Sequence, residues 1–549
     1  MAVLSRTKSH EIFLGIDFGT TNSVVSVYLE DGAVTIPIDG NNIFPTAIMF
    51  EADLEEMGML NPVFGVQAKE AETIYPESTV LDIKRHLGTN QKIKVTVESV
   101  DYFFTPVEIT SQILSYLRVE AEKYLDEELG ILCEAVGCVI TVPANSTDKQ
   151  KKMTKDAAIL AGFSHSSIFL RLEPAAASIT YALGETTSKN ILVYDFGGGT
   201  FDACVINIEA DGTEPQISIL STFGDNNLGG NDVDKLIMDI VYEQFKLQTN
   251  GEIDLFNEEN LQSDVIRRNK VAIARLRKVS NQAKERLSLY NSTKITLAPF
   301  IQEPQIININ IEVSREQFEN HRRINKLDDT ETQFERYRGK NLKDILNITL
   351  QCIDSCINVA GTSKIDEVFL VGGSSSISII TDLIKQKFNK IPFKSKISPA
   401  LSISLGAASY ADIITSDNTN GPKIKEKTIH PLGIEVSGRK FYEIVGSGIE
   451  IPQKGLTVES STEFTTNHDD VTSIAIVVYE DTSPTEDKCV TREGMKRLAG
   501  TSLNGIPRAK RGEEKIKVSF TVSQDNILKV KAVSQSQGIE TELYVDELY

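Results

Sequence analysis

Leu14-Gly15-Ile16-Asp17-Phe18-Gly19-Thr20-Thr21-Asn22-Ser23 decides the fold, together with its echo Tyr194-Asp195-Phe196-Gly197-Gly198-Gly199-Thr200-Phe201-Asp202. In each stretch a short apolar run meets Asp-Phe-Gly and a tip of Gly and Thr. Around the first, residues 12–16 and 23–28 are strand-like, Glu30-Asp31-Gly32 turns the chain, and 33–38 is strand-like again. Around the second, 191–194, 201–208 and 216–222 repeat the plan. Strand, tight loop, strand, turn, strand reads as an antiparallel meander. The repeat distance, about 178 residues from Asp17 to Asp195, is too long for a solenoid and suits two similar domains facing each other.

The loops carry a chemistry. Glycines at a hairpin tip let backbone N–H groups approach phosphate oxygens with no Cβ in the way. Thr20 and Thr21 add hydroxyl donors. Asp17 and Asp195 end equivalent strands, and two carboxylates facing each other across a phosphate site can hold Mg²⁺ through its water shell. A third loop, Val371-Gly372-Gly373-Ser374-Ser375-Ser376, follows the apolar run 367–371 and precedes a helix, where its N–H groups could cradle an adenosine or its phosphates.

Working outward, 109–125 puts Ile113, Leu114, Leu117, Ala121 and Leu125 on one helical stripe. Asn145 or Ser146 is expected to cap a helix over 148–161, Ser314 with Gln317 forms a candidate capping box, and 261–290 is expected to be a helix pair with one solvated face. Turn formers at 416–422 and the charged run 423–427 mark a linker. Beyond it, regularly spaced alternating runs (441–445, 473–479, 515–522, 527–533, 540–545) predict a β-sandwich.

The 549 residues suggest three or four domain-sized units, 40% hydrophobic and 24% charged, without long disordered stretches. A formal charge of −20 argues against non-specific grip on nucleic acid or anionic membrane, so neither is expected as a partner. Six scattered cysteines show no zinc-ligand spacing; Cys352 and Cys356 share one helix face and are expected in the core. The N-terminus lacks a leader pattern and no run reaches the roughly 18 apolar residues of a membrane helix, which gives the expectation of a cytoplasmic protein.

The two Asp-Phe-Gly loops and Val371-Gly372-Gly373-Ser374 resemble the three signatures of the 70-kDa heat-shock protein (DnaK-type) chaperone family. Phe44-Pro45-Thr46, Asp82-Ile83-Lys84-Arg85, Ile140-Thr141-Val142-Pro143, Leu172-Glu173-Pro174-Ala175-Ala176-Ala177 and Leu228-Gly229-Gly230-Asn231-Asp232 follow in the family's order. Leu432-Gly433-Ile434-Glu435, Asn504-Gly505-Ile506-Pro507 and Arg511-Gly512 extend the likeness nearly to the end.

The resemblance implies an α/β actin-like ATPase of duplicated RNase H-like lobes (1–415, with halves 1–189 and 190–415), a linker over 416–428, and an all-β sandwich over 429–549 that binds substrate. It implies an ATP-dependent chaperone of unfolded or nascent polypeptide, with slow hydrolysis and with ATP/ADP and Mg²⁺ as cofactors. Lys84 would orient the attacking water, helped by Glu173; Asp195, Thr200 and Asp202 would complete the catalytic set. Asp17, Gly19, Thr20, Thr21, Asn22, Gly197, Gly198, Gly199, Thr200, Gly229, Gly230, Asn281, Lys284, Ser288, Gly372, Gly373 and Ser374 would hold the nucleotide, and Asp17 and Asp195 the magnesium. Tyr442, Phe464 and Ile474 fall near positions that line the family's peptide groove. J-domain co-chaperones, exchange factors or another chaperone are the implied partners, and Phe169 or Arg171 falls where the J-domain-contacting arginine belongs.

Four features depart from the family. Lys423-Ile424-Lys425-Glu426-Lys427 stands where leucines usually dock, so its charges are expected to resist burial. Little chain follows 540–545, so a helical lid is expected to be absent. Ser376 and Ala400 replace an arginine and an aspartate common in the adenosine pocket, where Asn281 and Glu285 are also unusual. The stretch 162–173 is two residues longer than is usual in the family. The charged linker and missing lid keep open a non-hydrolysing, ATP-binding partner of another chaperone, and the two loops, which sugar kinases share, more remotely a metabolite kinase of the same superfold.

Overall fold

The computed structural model describes every residue except 1–9, 54–58, 183–186, 211–214, 260, 328–329, 363, 390–397, 416–422, 426, 429, 453–454, 482–484, 493, 524–527 and 546–549. Most of the expected linker lies outside the described residues.

Both expected meanders are present. The strands His10–Phe18, Asn22–Leu29 and Gly32–Ile36 run antiparallel, and Cys133–Val142 and Ile168–Leu172 add parallel strands beside the first. The second sheet repeats this plan with Lys189–Phe196, Phe201–Glu209 and Gln216–Asp225, and Glu367–Val371 parallel to Lys189–Phe196. In both halves the parallel neighbour arrives through a helical crossover, as parallel pairing requires.

Two small-residue helices, Glu173–Ala182 and Ser402–Thr415, pack together between the sheets. A Cβ on Gly406 would stand 1.8 Å from the Ala176 carbonyl oxygen, so only glycine permits this crossing. The helix Pro106–Glu127 starts at a Thr105–Glu108 capping box with proline in the first turn. Its stripe Ile109, Ile113, Leu114, Leu117, Ala121 and Leu125 is fully buried, each Leu or Ile contributing roughly 1.5–3 kcal/mol.

Three local expectations are corrected. The helix Asp148–Leu160 is capped by Thr147, in a reciprocal box with Gln150, not by Asn145 or Ser146, which belong to the preceding turn. The segment 261–290 holds one helix, Ser263–Leu289, because no glycine or proline interrupts it. Ser314 caps Arg315–Asn320 by accepting from the Gln317 N–H, without a return bond from the Gln317 side chain.

Beyond residue 430 the chain forms two facing antiparallel sheets. One is ordered Lys440–Val445, Leu432–Val436, Ser473–Asp481, Met495–Asn504; the other Leu456–Glu459, Lys515–Val522, Leu528–Ser534, Glu540–Tyr544, with Phe464–Thr465 also on Lys515–Val522. Burial alternates strictly along Lys515–Val522 and Leu528–Ser534, the period-2 signature of a sheet with one face inside. The strand Met495–Asn504 escaped the sequence reading because its polar residues hide the alternation.

Part of the charged segment has a place in the fold. Lys423–Lys425 pairs parallel with 216–218 of the strand Gln216–Asp225, as the edge strand of the second sheet. Edge addition uses backbone N–H and C=O groups, which charged residues supply as well as leucines do. The sandwich then meets the second lobe, with His430 edge-on to Phe223 at 6.2 Å.

Candidate functional site

The two Asp-Phe-Gly loops face each other across a cavity of about 540 Å³ between the sheets. Asp17, Gly19, Thr20, Thr21, Asn22, Lys84, Glu173, Asp195, Gly197, Gly198, Gly199 and Thr200 line one end, and Asn281, Lys284, Ser288, Gly372, Gly373 and Ser374 the other. The tips interlock: a Cβ on Gly198 would stand 2.2 Å from the Thr21 hydroxyl, and one on Gly199 2.7 Å from that of Thr20. Gly372, at φ 79, brings its backbone against Asp195, where a Cβ would lie 2.6 Å from Oδ1.

The floor is electrostatically unusual. Lys84 sits on one turn of 3-10 helix, Ile83–His86, and its Nζ donates to Glu173 Oε1 at 2.6 Å. Glu173 opens its helix directly after the strand Ile168–Leu172. Burial, helped by the Glu173 charge, pushes the Asp17 carboxyl up to about 7, although Lys84 and Thr141 oppose it. Asp202 rises to about 8 and Asp195 well above the usual carboxylate range for the same reasons, burial first. Asp202 does not line the cavity; it lies behind Asp195 and accepts from the Ala144 N–H at 3.0 Å. Oδ2 of Asp195 and Oδ2 of Asp202 are buried without a hydrogen-bond partner.

Four carboxylates around one ammonium leave negative charge that a divalent cation would offset. Among the described residues no three His, Cys, Asp or Glu side chains converge to ligate a metal directly. The donor set therefore fits magnesium held through water rather than a closed protein cage.

Gly229 and Gly230 also stand one step back from the cavity. The Gly230 N–H donates to the Gly197 carbonyl, and the Gly230 carbonyl accepts from Lys284 Nζ at 3.1 Å. Lys284 is further paired with Asp234 at 2.9 Å, and Asn281 donates to Asp234 at 3.0 Å, so both are fixed from the helix Gly230–Gln248. Asn231 was missed by the sequence reading although it follows Gly229-Gly230 directly. It lines the cavity and bridges the lobes, accepting from Thr21 at 3.4 Å and donating to Asp82 at 3.1 Å. Higher in the cleft, Glu70, Glu72 and Glu77 of the first lobe pair with Lys278, Arg277 and Lys270 of the helix Ser263–Leu289.

Ser376 and Ala400 do line the cavity, together with Glu285, Leu289 and Ile377. Arg171 is buried, its guanidinium 4.0 Å from the Tyr410 ring centroid and hydrogen-bonded to that hydroxyl and to the Leu170 carbonyl. Phe169 packs on Phe13. Neither residue offers the surface cation expected of a J-domain contact. In the sandwich, Tyr442 and Phe464 meet edge to face at 5.2 Å, and both, with Ile474, are half-buried against the sandwich core. All six cysteines are unpaired with one another; Cys356 is buried and Cys352 partly so.

Two lobes closing Gly-Thr loops on a carboxylate-floored cavity, followed by a β-sandwich, define the class: a two-lobed α/β protein with an interlobe cleft and an appended all-β module. Residues 13–548 match the family described as Hsp70 protein. The chain is 34% identical to the chaperone protein DnaK of Thermotoga neapolitana over 548 residues, covering 97% of this chain and 80% of that one. It is 33% identical to the proteins of the same name from Thermotoga petrophila and Thermotoga maritima, over the same shares. The chain belongs to the Hsp70 family. Among the described residues no helix is long and apolar enough to cross a membrane.

Proposed function

We propose that this chain is an ATP-dependent molecular chaperone that binds ATP between its lobes, hydrolyses it slowly, and holds unfolded or nascent polypeptide on its sandwich in the cytoplasm. Residues 1–415 form the nucleotide-binding part, 416–428 the connection and 429–549 the substrate-binding part. The observation that carries the reading is the Lys84–Glu173 pair, set 2.6 Å apart in the cavity wall with Asp17 and Asp195.

Phosphoryl transfer to water needs alignment and charge neutralisation more than covalent help. The Gly-Thr tips around Thr20, Thr21, Gly198, Gly199 and Thr200 present N–H and O–H donors to the phosphates. Lys84 donates to the terminal phosphate or the attacking water, and Glu173 fixes the lysine's orientation. Asp17 and Asp195 would hold magnesium through its water shell, and the ion would supply positive charge to offset the phosphates. Asp202 orients the loop at Ala144 and adds to the field on Asp195. Asn281, Lys284, Ser288, Gly373 and Ser374 hold the nucleoside. In the sandwich, Tyr442, Phe464 and Ile474 offer apolar contact beside strand edges suited to an extended peptide.

Single-turnover cleavage of ATP tests this reading. Lys84→Ala is expected to lower the rate by about 10²–10³, as for other deleted transition-state donors, with ATP still bound. Equal turnover in both proteins would overturn the hydrolytic half and favour a nucleotide-binding partner of another chaperone. The metabolite-kinase alternative gains nothing from the Hsp70 match and the appended sandwich.

A further inference from the structure

The phosphate end of the interlobe cavity has a second side. A separate cavity of about 280 Å³ lies behind it, and Thr20, Lys84 and Thr200 line both, standing between the two spaces. Since a water occupies about 30 Å³ of the liquid, the rear cavity has room for a hydrated small anion.

The two spaces differ in charge. The front cavity is lined by Asp17, Glu173, Asp195 and Glu285 against Lys69, Lys84 and Lys284. The rear one has no Asp or Glu among its described lining residues, and its only charged side chains are Lys84 and Arg85. That is a marked local reversal in a chain of net charge −20. The remaining wall is rich in donors: Thr89, Ser146, Thr147, Gln150, Asn226 and Asn227. Arg85 is held from one side by the Gly199 carbonyl at 3.0 Å and Asp232 at 3.1 Å, and its Nε is buried with no hydrogen-bond partner. Thr89 from the first lobe and Asn227 from the second are exposed to solvent and mark the mouth.

We propose that this rear cavity is an exit subsite for inorganic phosphate, through which the cleaved phosphate leaves while ADP still fills the front. The inference rests on the hydrolytic reading above. After cleavage the free anion has ADP on one side and the carboxylates beside it. The rear cavity offers N–H and O–H donors and two cations, each paired with a carboxylate outside its lining (Lys84 with Glu173, Arg85 with Asp232), and no carboxylate in its own described lining, so the anion meets donors rather than like charge on that side.

The test separates cleavage from release in a single turnover. Acid-quenched samples report bond breaking, and a fluorescent phosphate sensor reports free phosphate. Thr89→Phe and Asn227→Phe each plug the mouth from a different lobe, and Thr89→Ser is the open control. With cleavage within about twofold of wild type, phosphate release is expected to slow by about tenfold or more in both plugs, roughly 1.4 kcal/mol on the barrier, and not in Thr89→Ser. Both plugs sit at exposed positions, so misfolding of one, seen by circular dichroism, leaves the other decisive. Release that keeps pace with cleavage in either folded plug overturns the exit. Absence of cleavage in the wild type overturns the hydrolytic reading and this inference with it, a different result from normal cleavage with unhindered release.

Discussion

Asp17, Glu173, Asp195 and Asp202 crowd around Lys84, and the raised carboxyl groups register the strain of burying them together. Such a site is assembled at the expense of stability. Asp195→Asn keeps the shape and removes one ionisable carboxyl whose burial disfavours its charged form and whose Oδ2 has no hydrogen-bond partner. The nucleotide- and magnesium-free variant is expected to melt a few degrees above wild type, since ~1 kcal/mol moves Tm by roughly 2–4 °C in domains of 150–250 residues. ATP cleavage should fall together with the gain. Melting followed by circular dichroism checks this (the chain has no Trp to report by fluorescence), and an unchanged or lower Tm would mean the charge is already offset in the free protein. Asp17 and Asp195 were legible because each ends a strand before a Gly tip. The dependence of Asp202 on Ala144 was not, because that contact spans 58 residues of chain and leaves no local pattern.

The paired helices Glu173–Ala182 and Ser402–Thr415 join the two halves. Their alanines and Gly406 let the backbones approach, and Glu173 in the first turn rides on that packing. Gly406→Val would force its Cβ into the Ala176 carbonyl. The expected loss is about 1–3 kcal/mol or more, the usual result of overpacking, together with weaker nucleotide binding as the floor shifts. Thermal unfolding and ATP titration measure both; a variant with wild-type Tm would show that the crossing can relax. Alanine and glycine in these segments were visible in the sequence. That the two segments, more than two hundred residues apart, choose each other was not, because small residues permit close approach without specifying a partner.

Docking of the sandwich depends on groups from both sides of one seam. His430 packs on Phe223 and lines a cavity of about 330 Å³ with Lys151 of the first lobe and Glu480 and Lys496 of the sandwich. Burial lowers the His430 pKa from 6.5; Glu480 and Asp481 oppose the shift and Lys496 reinforces it. The docked form thus disfavours the proton. Its contribution is fully present above pH 6.5 and is lost as the pH falls from there through the depressed docked value. Energy transfer between dyes on the second lobe and the sandwich should show docking weaken below pH 6.5, and His430→Phe should remove that acid sensitivity. Persistence of the same profile in His430→Phe would assign it to other groups on the seam.

The meanders, the phosphate loops and the alternation of the sandwich core are legible in the amino-acid order alone. Each of these is written in neighbouring residues, as strand period, Gly-rich tip and turn chemistry. Three outcomes are set by folding in space: Arg171 turns inward onto Tyr410, the charged segment at Lys423 pairs through its backbone, and Thr20, Lys84 and Thr200 stand between two cavities. Those outcomes come from burial and pairing between distant segments, whose free energy depends on what each side chain meets in space rather than on its place in the chain.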